Sequence, residues 1–256
     1  MKAFVIPDVH LRPWMVYLAE KMMDEMIRKE LMLPEEKRQK IGAVFLGDLA
    51  DDWGQQNNPE LYEKTFNAVI AFVKKYPDVY FCIGNHDISY VWEKPESGYS
   101  FLPETGNAVR QKMKELKDAF TDPERFGFVH CIDNTVFSHA GLSAHFIQTH
   151  AMAADSFENL IYMINHSFSE AELWKDISPI WVRMQDPPPR AYKSYRLQVV
   201  GHTPVREVLY DEAQGLLSVD TFSTCSNLEP YGDRSFVVVD TVKKSFEIIY
   251  GSHSGD

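Results

Sequence analysis

Five short apolar runs each end in a residue that can hold a metal ion or move a proton. Asp8 and His10 follow the first run. Asp48 follows the second, in Gly47-Asp48-Leu49-Ala50-Asp51-Asp52. Asn85, His86 and Asp87 follow the third, directly after Gly84. His139 follows the fourth, in Ser138-His139-Ala140-Gly141, and His202 the fifth, in Gly201-His202-Thr203-Pro204. Asp8, His10, Asp48, Asn85, His139 and His202 form a mixed oxygen and nitrogen donor set without thiolate. That set suits Mn2+, Fe2+ or Zn2+ better than Ca2+ or an iron–sulfur cluster. Six side chains exceed what one open catalytic ion needs, and two ions sharing one carboxylate account for them. Ions roughly 3.5–4 Å apart bind both the attacking and the leaving oxygen of an in-line displacement.

The elements that must position these residues are legible in the apolar spacing. Strands are expected over residues 3–6, 43–46 and 79–83. Between them, Trp14, Leu18, Met22, Met26 and Ile27 recur at helical spacing, as do Leu61, Thr65, Ala68, Val69 and Phe72. Strand–helix–strand–helix–strand is the pattern of an α/β fold with a parallel sheet, in which ligands bind at the carboxyl ends of strands. Residues 88–105 are polar and aromatic without period and read as a long surface loop. Tyr90, Trp92, Tyr99 and Phe101 are expected to pack that loop, and Trp53 is a candidate rim residue. A helix is expected over 106–120, strands over 128–132 and 136–138, and a helix over 157–164. After Pro187-Pro188-Pro189 the chain turns β-rich, with strands over 197–200, 205–210, 216–219, 236–239 and 246–250. These five are expected to form a second sheet on the same core. No linker composition interrupts the chain, so residues 1–256 read as one domain.

Composition narrows the function classes. The 45% hydrophobic and 25% charged residues are ordinary for a globular protein and exclude disorder as the main state. The formal charge of −11 argues against general affinity for nucleic acid or anionic lipid. Cys82, Cys131 and Cys225 are odd in number and unpatterned, which points to a reducing, cytoplasmic setting and not a disulfide framework. No signal-peptide core follows Lys2 and no run of apolar residues is long enough to span a membrane. Met15, Met22, Met23 and Met26 read as a core-facing helix stripe. His130, His145, His150, His166 and His253 lack the strand-end context and read as ordinary hydrogen-bonded histidines.

Taken in order, Asp-x-His, Gly-Asp-x-x-Asp, Gly-Asn-His-Asp, His-Ala-Gly and Gly-His-Thr-Pro resemble the calcineurin-like metallophosphoesterase superfamily. The details are most similar to its bacterial and phage-type serine/threonine protein phosphatases and symmetrical dinucleoside tetraphosphatases. The resemblance implies a sandwich of two mixed β-sheets flanked by helices, with a dinuclear site at one rim. It implies that Asp8 and His10 hold metal 1, that Asp48 bridges, and that Asn85, His139 and His202 complete metal 2. It implies that His86 is the general acid, oriented by Asp51, while a metal-bridging hydroxide attacks phosphorus. Asp87 is expected to cap the segment after its motif.

Three departures from that pattern matter. Asp52 stands where the family's protein phosphatases carry an Arg that grips phosphate. Pro7 and Leu11 replace the glycines usual around the first motif. Pro204 stands where the family's nucleases commonly carry a second His, which favours the phosphatase-like branch. Arg183, with Arg12, is the candidate phosphate fork. The expected activity is hydrolysis of a phosphomonoester, either phosphoprotein or small molecule, with Mn2+ favoured over Fe2+ or Zn2+. The alternative is a dinucleoside tetraphosphate pyrophosphohydrolase. Two dications would make the site cationic within an acidic protein, so −11 does not exclude a phosphate substrate. Basic phosphoproteins should be better substrates than acidic ones.

Overall fold

The computed structural model describes residues 1–150, 154–184, 190–192 and 196–251. The Pro187-Pro188-Pro189 run and His253 lie outside the described residues. The first half runs β1 (Lys2–Ile6), α1 (Pro13–Leu31), β2 (Ile41–Phe45), α2 (Pro59–Lys75), β3 (Val79–Cys82), α3 (Asn85–Val91) and α4 (Pro103–Ala119). It continues with β4 (Phe126–Gly127), β5 (Val129–Ile132), β6 (Thr135–Ser138), α5 (Ala144–His150), α6 (Phe157–His166) and α7 (Glu170–Leu173). The remaining strands are β7 (Leu197–Val200), β8 (Leu209–Asp211), β9 (Leu216–Ser218), β10 (Ser235–Asp240) and β11 (Ser245–Tyr250).

Among the described residues these strands form two sheets, ordered β11-β10-β1-β2-β3-β4 and β5-β6-β7-β9-β8. β1, β2 and β3 are mutually parallel, and so are β6 and β7. Side chains alternate across each strand and so feed two cores. From β1, Ala3 and Val5 meet Phe137, Val199 and Leu217 of the other sheet. Phe4 and Ile6 face the helix-covered side with Met15, Phe66 and Phe72. α2 shows why the helices settle there. Asn58 accepts the Leu61 amide, Pro59 opens the first turn, and Tyr62, Phe66, Val69 and Val73 share a buried face. On α1, Met15 and Met23 are buried while Met22 and Met26 are half-buried against the core, as the stripe predicts.

Three expectations are corrected. Residues 88–105 do not begin as loop, because α3 carries the chain from the Asn85 motif to Val91. A seven-residue helix is too short to display a period. The last five strands do not form one sheet. β10 returns antiparallel beside β1, pairing Ala3 with Val239, and β11 follows it into the first sheet. Nothing in a strand's own residues states which edge it will join. Of the expected strand over 205–210, only its end is ladder, as the short β8. The expected strand over 128–132 is β5, and the two residues before it form β4, where Gly127 pairs with Cys82 in the first sheet.

Candidate metal centre

The carboxyl ends of β1, β2, β3, β6 and β7 meet at one rim, where each strand stops and a tight loop begins. The loops are tied together by backbone bonds: the Val9 and His10 amides both donate to the Asp48 carbonyl, at 3.1 and 2.7 Å. Asp87 secures them from below. It accepts the amides of Leu49 and Ala50, and that of Gly84, which opens its own helix. It therefore caps as expected and also pins the Asp48 loop. His10, Asp48, Asp51 and His202 all have positive φ, between 43° and 64°. Left-handed backbone at four non-glycine site residues is the strain that a built site retains.

The six expected ligands come together. One ligand atom from each of Asp8, His10 and Asp48 lies within 4.8 Å of the others, and the same holds for Asp48, His139 and His202. Asp48 belongs to both groups. Asn85 joins the second, with Oδ1 2.8 Å from His139 Nε2.

Hydrogen-bond roles show what this cluster lacks. His139 Nδ1 donates to the Leu46 carbonyl at 2.7 Å, so in the neutral ring Nε2 carries the lone pair. His202 Nε2 donates to the Trp181 carbonyl at 3.0 Å, leaving Nδ1 bare. These two lone pairs face each other at 3.0 Å, with Asn85 Oδ1 and, at 3.3 Å, Asp48 Oδ2 beside them. His10 Nδ1 donates to the Asp51 carbonyl at 2.9 Å, so its Nε2 is likewise left facing Asp48, at 3.8 Å. Asp8 Oδ2 accepts the His202 amide at 2.8 Å, and Asp8 Oδ1, fully buried, has no partner. With the imidazoles neutral, these converging acceptors suit a cation among them.

Charge states divide the histidines. Burial holds His10 down to about 4, and burial with the His139 charge holds His202 well below the usual range, so both are neutral ligands. Burial, then the Asp220 charge, pushes Asp8 well above the usual carboxylate range. Burial opposes a proton on His139, but Asp48 and Asp8 outweigh it and lift the pKa to about 9. A dication placed at that lone pair displaces this proton. His86 is likewise opposed by burial and lifted to about 10, by the Asp48 charge and the bond from its Nδ1 to Asp51 Oδ2 at 2.8 Å.

A cleft of about 320 Å3 opens over the cluster, lined by Arg12, His86, Glu96 and Arg183 among others. Arg12 is buried and donates through Nη2 to Asp52 at 2.9 Å and to Thr224 at 3.0 Å, while Nη1 has no partner among the described residues. Arg183 is exposed and, among the described residues, donates to the Thr203 hydroxyl at 3.3 Å. Sequence reasoning missed Glu96. It accepts from Asn85 Nδ2 through both oxygens at 3.2 Å and so aims Asn85 Oδ1 at the ligand cluster. Its one signal was an acidic residue in an aromatic segment. That segment does pack on itself, with Tyr90 stacked on Tyr99 at 4.1 Å, although Phe101 stands in solvent. Of the histidines set aside, His130 is buried and bonds the Phe81 carbonyl, and His166 pairs with Glu124.

Residues 1–227 match the family model described as calcineurin-like phosphoesterase. No curated protein matches the chain. Among solved structures, a protein serine/threonine phosphatase from Saccharomyces cerevisiae is similar over 100% of this chain and 82% of its own, at 13% identity and a TM-score of 0.55. A cold-active protein-tyrosine phosphatase from a psychrophilic Shewanella species is similar over 97% of this chain and 80% of its own, at 15% identity and a TM-score of 0.53. At these identities the likeness is one of fold.

Proposed function

The chain belongs to the calcineurin-like phosphoesterase family, and on that premise we propose that it is a dinuclear phosphomonoesterase acting on phosphoproteins or small phosphate esters. The family is one of metal-dependent hydrolases, and the observation that carries the reading is the convergence of two ligand groups that share Asp48. Asp8, His10 and Asp48 would hold one ion, and Asp48, Asn85, His139 and His202 the other. The donor set, half oxygen and half imidazole without sulfur, favours Mn2+, with Fe2+ or Zn2+ sharing its preferences. Bound there, two dications supply Lewis acidity and an acidified water.

The chain's own residues do the rest. Arg12, which lines the cleft and has a buried Nη1 without a partner among the described residues, and Arg183 grip the phosphate oxygens. His86, held by Asp51, gives a proton to the leaving oxygen. Asn85 is kept in its ligand orientation by Glu96. The shared core between the sheets supports reading residues 1–256 as one domain. No described helix is long and apolar enough to cross a membrane. The free cysteines support a cytoplasmic setting, and −11 opposes general nucleic-acid binding.

One observation favours a second reading, hydrolysis of dinucleoside tetraphosphates. Trp53 lines the cleft half in solvent, its indole N–H fixed to the Thr224 carbonyl at 3.0 Å, and its ring is a surface on which a base could stack. A panel of phosphopeptides, aryl and alkyl phosphates, diadenosine tetraphosphate and nucleotides, assayed with added Mn2+, separates the two. Turnover of nucleotides alone would overturn the first.

A further inference from the structure

Asp51 is buried, and its two oxygens face different partners. Oδ2 meets His86 Nδ1. Oδ1 accepts from the hydroxyls of Tyr62 and Tyr90, the latter at 2.6 Å. The two phenols come from different helices, α2 and α3, and both are buried. Tyr90 in turn accepts the Ser100 amide at 2.8 Å, which ties the arrangement to the segment before α4. Burial first, and then the Asp51 charge, raises both phenols far above neutral pH, so each keeps its one hydrogen and donates it.

We propose that Tyr62 and Tyr90 are positioning residues for leaving-group protonation, acting through Asp51 on His86. This rests on the phosphomonoesterase reading. A carboxylate free to rotate could present either oxygen, at any tilt, to the imidazole. Here rotation would strand two buried hydroxyls without an acceptor, so Oδ2 stays aimed at His86. His86 is thereby fixed with Nδ1 as donor to Asp51, and Nε2 is the nitrogen left for the cleft. In the reaction a water oxygen forms the new P–O bond. The ester P–O bond breaks with its electron pair on the leaving oxygen, and His86 Nε2 gives that oxygen a proton. The attacking water's surplus proton passes to solvent, and His86 is reprotonated from there. Alignment of His86 matters most where the leaving oxygen is too basic to depart unprotonated.

The test compares wild type, Tyr62→Phe, Tyr90→Phe and the double variant, each loaded with Mn2+, on phosphomonoesters graded by leaving-group basicity. The series runs from 4-nitrophenyl through phenyl to alkyl phosphate. The expected result is that the ratio of kcat on 4-nitrophenyl to kcat on alkyl phosphate rises about tenfold in the variants, because part of a ~10²–10⁴-fold acid contribution is lost. KM should stay nearly constant. A merely structural role lowers kcat equally for all leaving groups, and that result, or no loss at all, overturns the inference. If one single variant fails to fold, the other carries the comparison. Imidazole NMR gives a readout without substrate: the His86 Nδ1 proton, bonded to Asp51, should be shifted downfield and slow to exchange in wild type, and less so in the double variant. A wild type that hydrolyses no phosphoester in the series would instead overturn the functional reading beneath the inference.

Discussion

Arg12 Nη2 lies 2.9 Å from Asp52 Oδ1, an ion pair that joins the loop after β1 to the loop after β2. The position where the family's protein phosphatases carry a phosphate-gripping Arg is therefore an Asp that holds an Arg from elsewhere in the chain. The guanidinium is planar, so a bond at Nη2 also fixes where Nη1 points.

Arg12→Ala should raise KM for a phosphomonoester by about 10- to 100-fold, the range of one charge-assisted hydrogen bond of ~1.5–3 kcal/mol. Arg12→Lys should not restore it, because an ammonium cannot hold Asp52 and present a second fixed donor. Arg183→Ala should cost less, since that side chain is exposed and loosely held. Steady-state kinetics check all three. An Arg183→Ala enzyme with unchanged kcat and KM would remove that residue from the grip.

Metal content should follow the ligand map. Asp48→Asn should lose both ions, and His139→Ala or His202→Ala one, as read by elemental analysis of purified protein. Chelation should abolish activity and Mn2+ restore it. Mn2+ at about 100 times its Kd should stabilise the fold by about 2.7 kcal/mol, a rise in Tm of roughly 5–10 °C for a chain of this size. Less than one equivalent of metal with no Mn2+ rescue would favour a non-enzymatic scaffold.

Gly201→Ala and Gly84→Ala should disable the site while leaving the strands in place. A Cβ at Gly201 would collide with Asp8 Oδ1, and one at Gly84 with Asp48 Oδ1 and the Asp48 amide. Each carboxylate is pressed against bare backbone, so a single methyl displaces a ligand. The expected result is loss of bound metal with near-wild-type circular dichroism. Full metal binding by either variant would contradict it.

His130 should make stability fall in mild acid. Burial lowers its pKa from 6.5 to about 4. Between those values the unfolded chain binds the proton and the folded one does not, so stability drops as pH falls from about 6.5 to about 4. The loss is roughly 3 kcal/mol, at 1.36 kcal/mol per pKa unit. Denaturant melts of wild type and His130→Phe across that window should show a shallower slope in the variant, which has no imidazole to charge. Equal slopes would refute the assignment.

The proposed metal ligands were legible because each is a local event. A strand ends, a turn follows, and a carboxylate, amide or imidazole stands at a spacing that chain geometry alone constrains. Asp8, Asp48, Asn85, His139 and His202 need no partner to be recognised as strand-tip residues. Tyr62 and Tyr90 were not legible as site residues, because Tyr62 in a helical run resembles any core aromatic and Tyr90 reads as packing for a loop. Their hydroxyls acquire meaning only when α2 and α3 pack with both phenols against Asp51.

The amino-acid order thus settled the ligand types, the α/β alternation and the strand tips that carry the chemistry, through backbone preferences acting over a few residues. The packed chain settled the sheet in which β10 and β11 lie, the pairing of Arg12 with Asp52, and the clamp on Asp51. Those arrangements depend on register and on helix-to-sheet contact between distant segments. Their energies arise only once the segments are buried against each other, so no stretch of the chain read alone contains them.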